Sequence, residues 1–139
     1  MSAERSVLIV DDEFGLADML SEMLRDYGYD VTLAINGRLA LDILGERRVD
    51  MVITDLMMPV MDGAELAAAM RSSDTLRDLP IILMTSLPAV PRQTDLYDAV
   101  LRKPFTPELL LSTMRDCFAR RPDTGGDNRG SRSNTEAEP

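Results

Sequence analysis

The chain has 139 residues, is 45% hydrophobic and carries a formal net charge of −9, which fits one globular domain with a buried core. It has no histidine and a single cysteine, Cys117, which excludes Ser-His-Asp and Cys-His catalysis, the usual zinc sites and an internal disulfide. Its apolar runs are too short to cross a membrane, and the N-terminus lacks the apolar length of a secretion signal, so a cytoplasmic protein is expected.

The negative charge is unevenly distributed along the chain. Residues 120–139 contain four basic and four acidic side chains, so the whole charge of −9 lies on residues 1–119. A body this acidic disfavours direct binding to nucleic acid, which normally requires a basic face.

Short apolar runs alternate with amphipathic segments of helical length. The pattern predicts strands at 7–10, 31–35, 51–54, 81–84 and 99–102, and helices at 13–28, 37–48, 63–73 and 106–120. Thr106 is the expected N-cap of the last helix, with Pro107 at its first position. This (βα)5 order predicts an α/β fold, a doubly wound five-stranded parallel sheet with helices on both faces.

The fourth crossover departs from this regular pattern. Only 17 residues separate Thr85 from Lys103, and they include prolines at 88 and 91, so the fourth helix is expected to be short or irregular, at about 92–98. The segment is either a trimmed piece of surface or, since such a short helix should be locally unstable, a mobile element. Beyond Arg120 almost nothing can be buried, which predicts a domain at 1–120 and a disordered tail at 121–139.

Polar side chains follow the predicted strands. Because parallel strands end at a common edge of the sheet, where α/β proteins bind ligands, these side chains should lie together. They are three acids after the first strand, one after the third, two hydroxyls after the fourth and a lysine after the fifth: Asp11, Asp12, Glu13, Asp55, Thr85, Ser86 and Lys103.

Taken singly, each of these residues has an ordinary structural explanation, since Asp11 or Asp12 could cap the first helix and Lys103 could be a solvated charge. As a group they need a cation, because two like charges about 4 Å apart repel by roughly 4 kcal/mol at an effective dielectric near 20. Oxygen ligands without histidine or cysteine suit Mg²⁺. A carboxylate beside Mg²⁺, a hydroxyl and a lysine is a fitting nucleophile for phosphoryl transfer.

The stretches "LIVDDE", "VITDLMMPVMDG", "ILMTS" and "RKPF" resemble, in the correct order, the motifs of two-component response-regulator receiver domains. The resemblance spans about residues 5–120. It implies the strand order 2-1-3-4-5, and it implies that Asp55 is phosphorylated by a histidine kinase or a histidine phosphotransfer protein.

The resemblance also implies the roles of the other site residues. Asp12, Asp55 and the backbone carbonyl of Met57 would bind Mg²⁺, while Asp11 would act through water. Thr85 would be the switching hydroxyl and Lys103 the phosphate-binding lysine. Pro104 would follow a cis peptide bond.

The family likeness further implies a protein that catalyses its own phosphorylation and dephosphorylation but is otherwise not an enzyme. We expect a stand-alone receiver that signals to a downstream protein through the face formed by the fourth helix, the fifth strand and the last helix. Val100 stands where the family carries an aromatic residue, three positions before Lys103, and Tyr97 is the candidate to replace it.

Other functions fit the sequence less well. A phosphatase of the haloacid-dehalogenase type would need a second aspartate two residues after Asp55, where Met57 stands. A nucleotide hydrolase would need a glycine-rich phosphate loop, and the sequence has none. A phosphorylation-independent protein-interaction module is the remaining alternative, although such a module has no need for clustered acids.

Overall fold

The computed structural model describes residues 4–87 and 94–120, and the predicted tail at 121–139 lies outside them. Its elements are the strands β1 (Ser6–Val10), β2 (Asp30–Ala34), β3 (Met51–Asp55), β4 (Ile81–Thr85) and β5 (Ala99–Arg102), and the helices α1 (Phe14–Asp26), α2 (Gly37–Glu46), α3 (Gly63–Arg71) and α4 (Pro107–Arg120). All strand pairs are parallel, in the order β2-β1-β3-β4-β5, which confirms the predicted architecture.

The sheet is buried on both faces, as parallel sheets require. Successive residues of β1 point to opposite sides, so Val7 and Ile9 join the core beneath α1 and α4, whereas Leu8 and Val10 join the core beneath α2 and α3. Strands β3 and β4 are buried at every position, which explains their unbroken apolar runs. None of the described helices is both long and apolar enough to span a membrane.

Side-chain caps fix the start of α2, α3 and α4 at the edge of the sheet where the strands end, with Asn36 as the cap of α2. Asp62 and Glu65 form a reciprocal capping box at α3, with distances of 2.8 and 2.9 Å to the backbone amides. The Thr106 hydroxyl accepts a hydrogen bond from the Leu109 amide at 3.1 Å, and Pro107 opens α4. The cap predicted for the last helix is therefore confirmed.

The fourth crossover contains less helix than the sequence predicted. In the described part of the predicted segment 92–98 there is one turn of 3-10 helix, Thr94–Leu96. Residues 88–93 lie outside the described residues, so the mobility of this segment stays a prediction. A helix reaching Asp98 is wrong. The Asp98 amide donates to the carbonyl of Ile81, the first residue of β4, at 2.8 Å, and the Asp98 carboxylate accepts from Arg71 at 2.9 Å, so this residue is tied to β4 and α3 rather than to a helical turn.

Candidate functional site

Three strands deliver their charged residues to one edge of the sheet. Asp11 directly follows β1, Asp55 is the last residue of β3, and Lys103 directly follows β5. The parallel register pairs the ends of neighbouring strands, so residues far apart in sequence meet there. The edge is the ligand-binding edge of a doubly wound sheet.

The three aspartates form one cluster. An oxygen of Asp11, one of Asp12 and one of Asp55 all lie within 4.8 Å of one another. The Lys103 ammonium lies 3.3 Å from the Asp55 carboxylate and 3.7 Å from that of Asp11. One positive charge therefore faces three carboxylates, which leaves an excess of negative charge when all three are ionised.

Asp11 is the most deeply buried member of this cluster, with 1% of its surface exposed. One of its carboxylate oxygens accepts a hydrogen bond from the Glu13 amide at 2.8 Å, and the other, Oδ2, has no hydrogen-bond partner. Burial raises the pKa of Asp11 despite the opposing effects of that amide and of Lys103, and Asp55 raises it further. A buried carboxylate oxygen without a hydrogen bond is costly unless a cation or water meets it.

The aspartates do not serve as caps of α1. The N-cap of that helix is Glu13, and its side chain makes no capping hydrogen bond. The donor set of clustered carboxylate oxygens, with the unbonded Oδ2 of Asp11 among them, fits a hard divalent cation such as Mg²⁺.

Thr85 lies at the end of β4 but is almost fully buried, with 2% of its surface exposed. Its hydroxyl oxygen accepts a hydrogen bond from the Leu87 amide at 3.0 Å, and its carbonyl accepts from the Lys103 amide at 2.8 Å. The peptide bond between Lys103 and Pro104 is cis, as the family resemblance implied. Thr85 is thus joined to Lys103 through the backbone rather than through the side chains.

A cavity of about 310 Å³ opens above the aspartates. Its lining consists of Asp12, Glu13, Asp55, Met57, Ser86, Leu87 and Lys103. Met57 and Leu87 bring apolar side chains to its rim, with 65% and 40% of their surfaces exposed. Leu87 was not predicted as part of the site, because an apolar residue just after a strand carries no signal of its own. Thr85 does not line the cavity.

The loop between β3 and α3 approaches the backbone of Asp55 closely. The Gly63 amide donates to the Leu56 carbonyl at 2.8 Å, and a Cβ atom on Gly63 would lie 2.2 Å from the Asp55 carbonyl oxygen. Val60 has a φ of 72°, a conformation that costs a β-branched residue strain. The Asp-Gly sequence predicted a turn here, but not this close packing.

Tyr97 is buried against the α3 side of the sheet, together with Leu66 and Leu83. Burial raises the pKa of its phenol, and the Asp62 carboxylate raises it further. The ring therefore fills space beside β4 and β5 and does not line the cavity above the aspartates.

Comparison with known proteins identifies this arrangement. Residues 7–115 match the model of the response regulator receiver domain, and the chain belongs to that family. It is 40% identical over 124 residues to the response regulator MprA of Mycolicibacterium vanbaalenii, a match that covers 86% of this chain and 53% of MprA. The chain thus spans about half the length of the curated relatives it matches.

Solved structures show the same fold. The chemotaxis response regulator CheY4 of Vibrio cholerae is 35% identical, with a TM-score of 0.75, and the match covers 83% of this chain and 99% of CheY4. The response regulator TrrA of Thermotoga maritima, in complex with Mg²⁺ and BeF, is 30% identical with a TM-score of 0.75, and the match covers 81% of this chain and 98% of TrrA. The protein is therefore a receiver domain of a two-component system.

Proposed function

We propose that this receiver is a Mg²⁺-dependent phosphoryl acceptor and that Asp55 is its nucleophile. The observation that carries the proposal is the position of the Asp55 carboxylate, 3.3 Å from Lys103 inside a three-carboxylate cluster that opens into a cavity. An Asp55 oxygen attacks the phosphorus of a phosphohistidine. The P–N bond breaks and its electron pair stays on the imidazole nitrogen, leaving an acyl phosphate on Asp55.

The acidic cluster would hold the metal. Asp12, Asp55 and the backbone carbonyl of Met57 are the proposed ligands, with Asp11 acting through water. When bound, Mg²⁺ neutralises charge on the oxygens of the transferred phosphoryl group. The mutual repulsion of the carboxylates then becomes a source of metal affinity.

Lys103 and Thr85 supply the remaining contacts in this proposal. The Lys103 ammonium, already beside Asp55, binds a phosphoryl oxygen after transfer. The Thr85 hydroxyl accepts from the Leu87 amide and so keeps its own hydrogen for donation to a phosphoryl oxygen. That donation would move Thr85 toward the cavity and carry the conformational signal.

A phosphohistidine donor cannot lie within residues 1–139, because these residues include no histidine. We propose a histidine kinase or a histidine phosphotransfer protein, since the family belongs to two-component signalling. The proposed downstream partner docks on the face formed by Thr94–Leu96, β5 and α4. The domain limits of 1–120 and the stand-alone role stay predictions, since the matched relatives are about twice as long.

Reaction with a small phosphodonor tests the proposal. Acetyl phosphate with Mg²⁺ should add one hydroxylamine-labile phosphoryl group, detected by intact-mass spectrometry, and chelation of the metal should prevent it. Asp55→Asn should abolish the added mass. Asp42→Asn, which removes an exposed carboxylate in α2, should leave it unchanged and serves as the matched control.

A folded wild-type protein that gains no phosphoryl group with Mg²⁺ present would contradict the proposal. That outcome would favour the phosphorylation-independent interaction module. Equal labelling of the Asp55→Asn variant would show that another residue is the acceptor.

A further inference from the structure

The corner between β2 and α2, residues 34–37, contacts two loops at the acidic cluster. One is the loop after β1, which contains Asp11 and Asp12, and the other is the loop that follows Asp55 at the end of β3. The Asp11 amide donates to the Ala34 carbonyl at 3.0 Å, at the start of the corner. The Gly37 amide donates to the Met61 carbonyl at 2.9 Å, at its end. One short segment therefore bonds to the loop after β1 and to the loop after β3.

Gly37 is packed tightly against Met61. A Cβ atom on Gly37 would lie 2.7 Å from the Met61 Cγ atom and 2.9 Å from the Met61 carbonyl oxygen. Both distances are shorter than ordinary van der Waals contact. Since one of these atoms belongs to the backbone, any side chain at residue 37 must push the loop away from the corner.

The loop at residues 57–62 depends on this contact for its position. Among the backbone hydrogen bonds that the structure describes for it, the bond from Gly37 alone comes from another segment of the chain. The others are local, such as the bond from the Met61 amide to the Pro59 carbonyl at 2.8 Å. Val60, at φ 72°, has a strained backbone conformation, which we expect to relax if the bond from Gly37 is lost.

We infer that Gly37 is a positioning residue for the metal site. It holds the loop that carries Met57 at a fixed place relative to Asp11 and Asp12, because the same corner bonds to both sides. Gly37 itself touches neither metal nor substrate. The inference rests on the proposed function, in which residues of both loops, Asp12 and Met57, would hold Mg²⁺.

The test compares two glycine substitutions in one helix. Gly37→Ala introduces the collision with Met61, whereas Gly45→Ala in α2 meets nothing within 4 Å and is the matched control. In calorimetric Mg²⁺ titrations of the unphosphorylated protein, Gly37→Ala should weaken binding about tenfold, as the loss of supporting contacts around a metal commonly does. Gly45→Ala should bind like the wild type.

The rate of phosphorylation by acetyl phosphate gives a second comparison of the two variants. Gly37→Ala should be slow at low Mg²⁺ and should regain the wild-type rate when the metal saturates the site. A general loss of structure would lower the rate at every Mg²⁺ concentration. That result would overturn the positioning role.

A measurement on the wild type needs no variant and stays decisive if Gly37→Ala fails to fold. In an NMR titration with Mg²⁺, the amide resonance of Gly37 should shift along a binding curve that gives the Mg²⁺ dissociation constant. The amide resonance of Gly45 should not shift. A Gly37 amide that stays in place while the protein binds Mg²⁺, or a folded Gly37→Ala that binds with wild-type affinity, would overturn the inference and leave the proposed function intact. A wild type that binds no Mg²⁺ would overturn both.

Discussion

Gly63 lies against the backbone of the residue proposed to accept the phosphoryl group. Because a Cβ atom there would come within 2.2 Å of the Asp55 carbonyl oxygen, Gly63→Ala must displace backbone rather than a flexible side chain. We expect a loss of about 1–3 kcal/mol in the free energy of unfolding, the usual cost of overpacking. Urea denaturation measures it.

Gly15→Ala is the control for this substitution. A Cβ atom on Gly15 meets nothing within 4 Å, and the residue lies in the first turn of α1, so its replacement should cost no stability. If Gly63→Ala unfolded at the same urea concentration as Gly15→Ala, the close approach to Asp55 would be disproved.

Tyr97 should make stability depend on alkaline pH. Burial raises the pKa of its phenol above the ordinary value of 10.0, with a smaller contribution from Asp62, so the folded protein holds this proton more tightly than the unfolded chain. The stability contributed by Tyr97 is therefore fully present below pH 10.0 and is lost as the pH rises through the folded pKa.

Ultraviolet difference titration and urea denaturation across this pH range check the prediction. Tyr97→Phe should remove the phenol that titrates above the ordinary value and should lessen the loss of stability at high pH. An unchanged titration curve in the variant would contradict it. Tyr27, with 63% of its surface exposed, provides the comparison substitution Tyr27→Phe.

Individual site residues differed in how visible they were in the sequence. Asp11, Asp55 and Lys103 could be found because charged residues directly follow apolar strands, and parallel strands end at a common edge. The roles of Gly37 and Leu87 could not be found. A close approach between backbones and the lining of a cavity arise only when distant segments pack together.

At the scale of elements, Arg71 joins the end of α3 to the fourth crossover. Its guanidinium donates to the Leu96 carbonyl at 3.0 Å and to the Asp98 carboxylate at 2.9 Å. It also donates to the carbonyls of Arg77 and Leu79, each at 2.7 Å. The planar group therefore holds the end of α3 against two other segments, residues 77–79 and 96–98.

Arg71→Ala should cost about 3 kcal/mol in the free energy of unfolding, because it removes a guanidinium that faces the Asp98 carboxylate, whose side chain is 7% exposed. Asp98 keeps its bond from the Ile81 amide at 2.9 Å, so the loss is not larger. Urea denaturation of the variant measures the effect.

Arg77→Ala is the matched control for the substitution of Arg71. Arg77 pairs with the exposed Asp74 carboxylate, and exposed ion pairs contribute little. Equal stability of Arg71→Ala and Arg77→Ala would contradict the importance of the hydrogen bonds that Arg71 donates. Arg71→Lys should recover only part of the loss, since an ammonium cannot reach so many acceptors in fixed directions.

The elements themselves could largely be predicted from the sequence, apart from this crossover. Strands β3 and β4 are continuous apolar runs, and the helices carry apolar stripes, so periodicity alone placed them. The predicted helix reaching Asp98 was wrong, because the Asp98 amide bonds to the Ile81 carbonyl and the Asp98 carboxylate accepts from Arg71 and from the Ile81 amide. Such long-range contacts leave no local pattern.

Over the whole molecule, the net charge of −9 makes the electrostatic potential around the protein negative, which favours the binding of cations. Folding brings the carboxylate of Asp55 close to those of Asp11 and Asp12, from which it is far apart in the unfolded chain. Folding therefore concentrates repulsion in one place. A divalent ion bound there stabilises the folded state and has no equivalent site on the unfolded chain.

Mg²⁺ should accordingly raise the thermal unfolding midpoint more than NaCl of equal ionic strength. At a Mg²⁺ concentration about a hundred times the dissociation constant, the expected gain is about 2.7 kcal/mol. Asp55→Asn should be more stable than the wild type without the metal, because one of the clustered negative charges is gone, and should gain less when Mg²⁺ is added. If NaCl and MgCl₂ stabilised both proteins equally, general screening of the acidic surface would account for the effect and the cluster would not be a metal site.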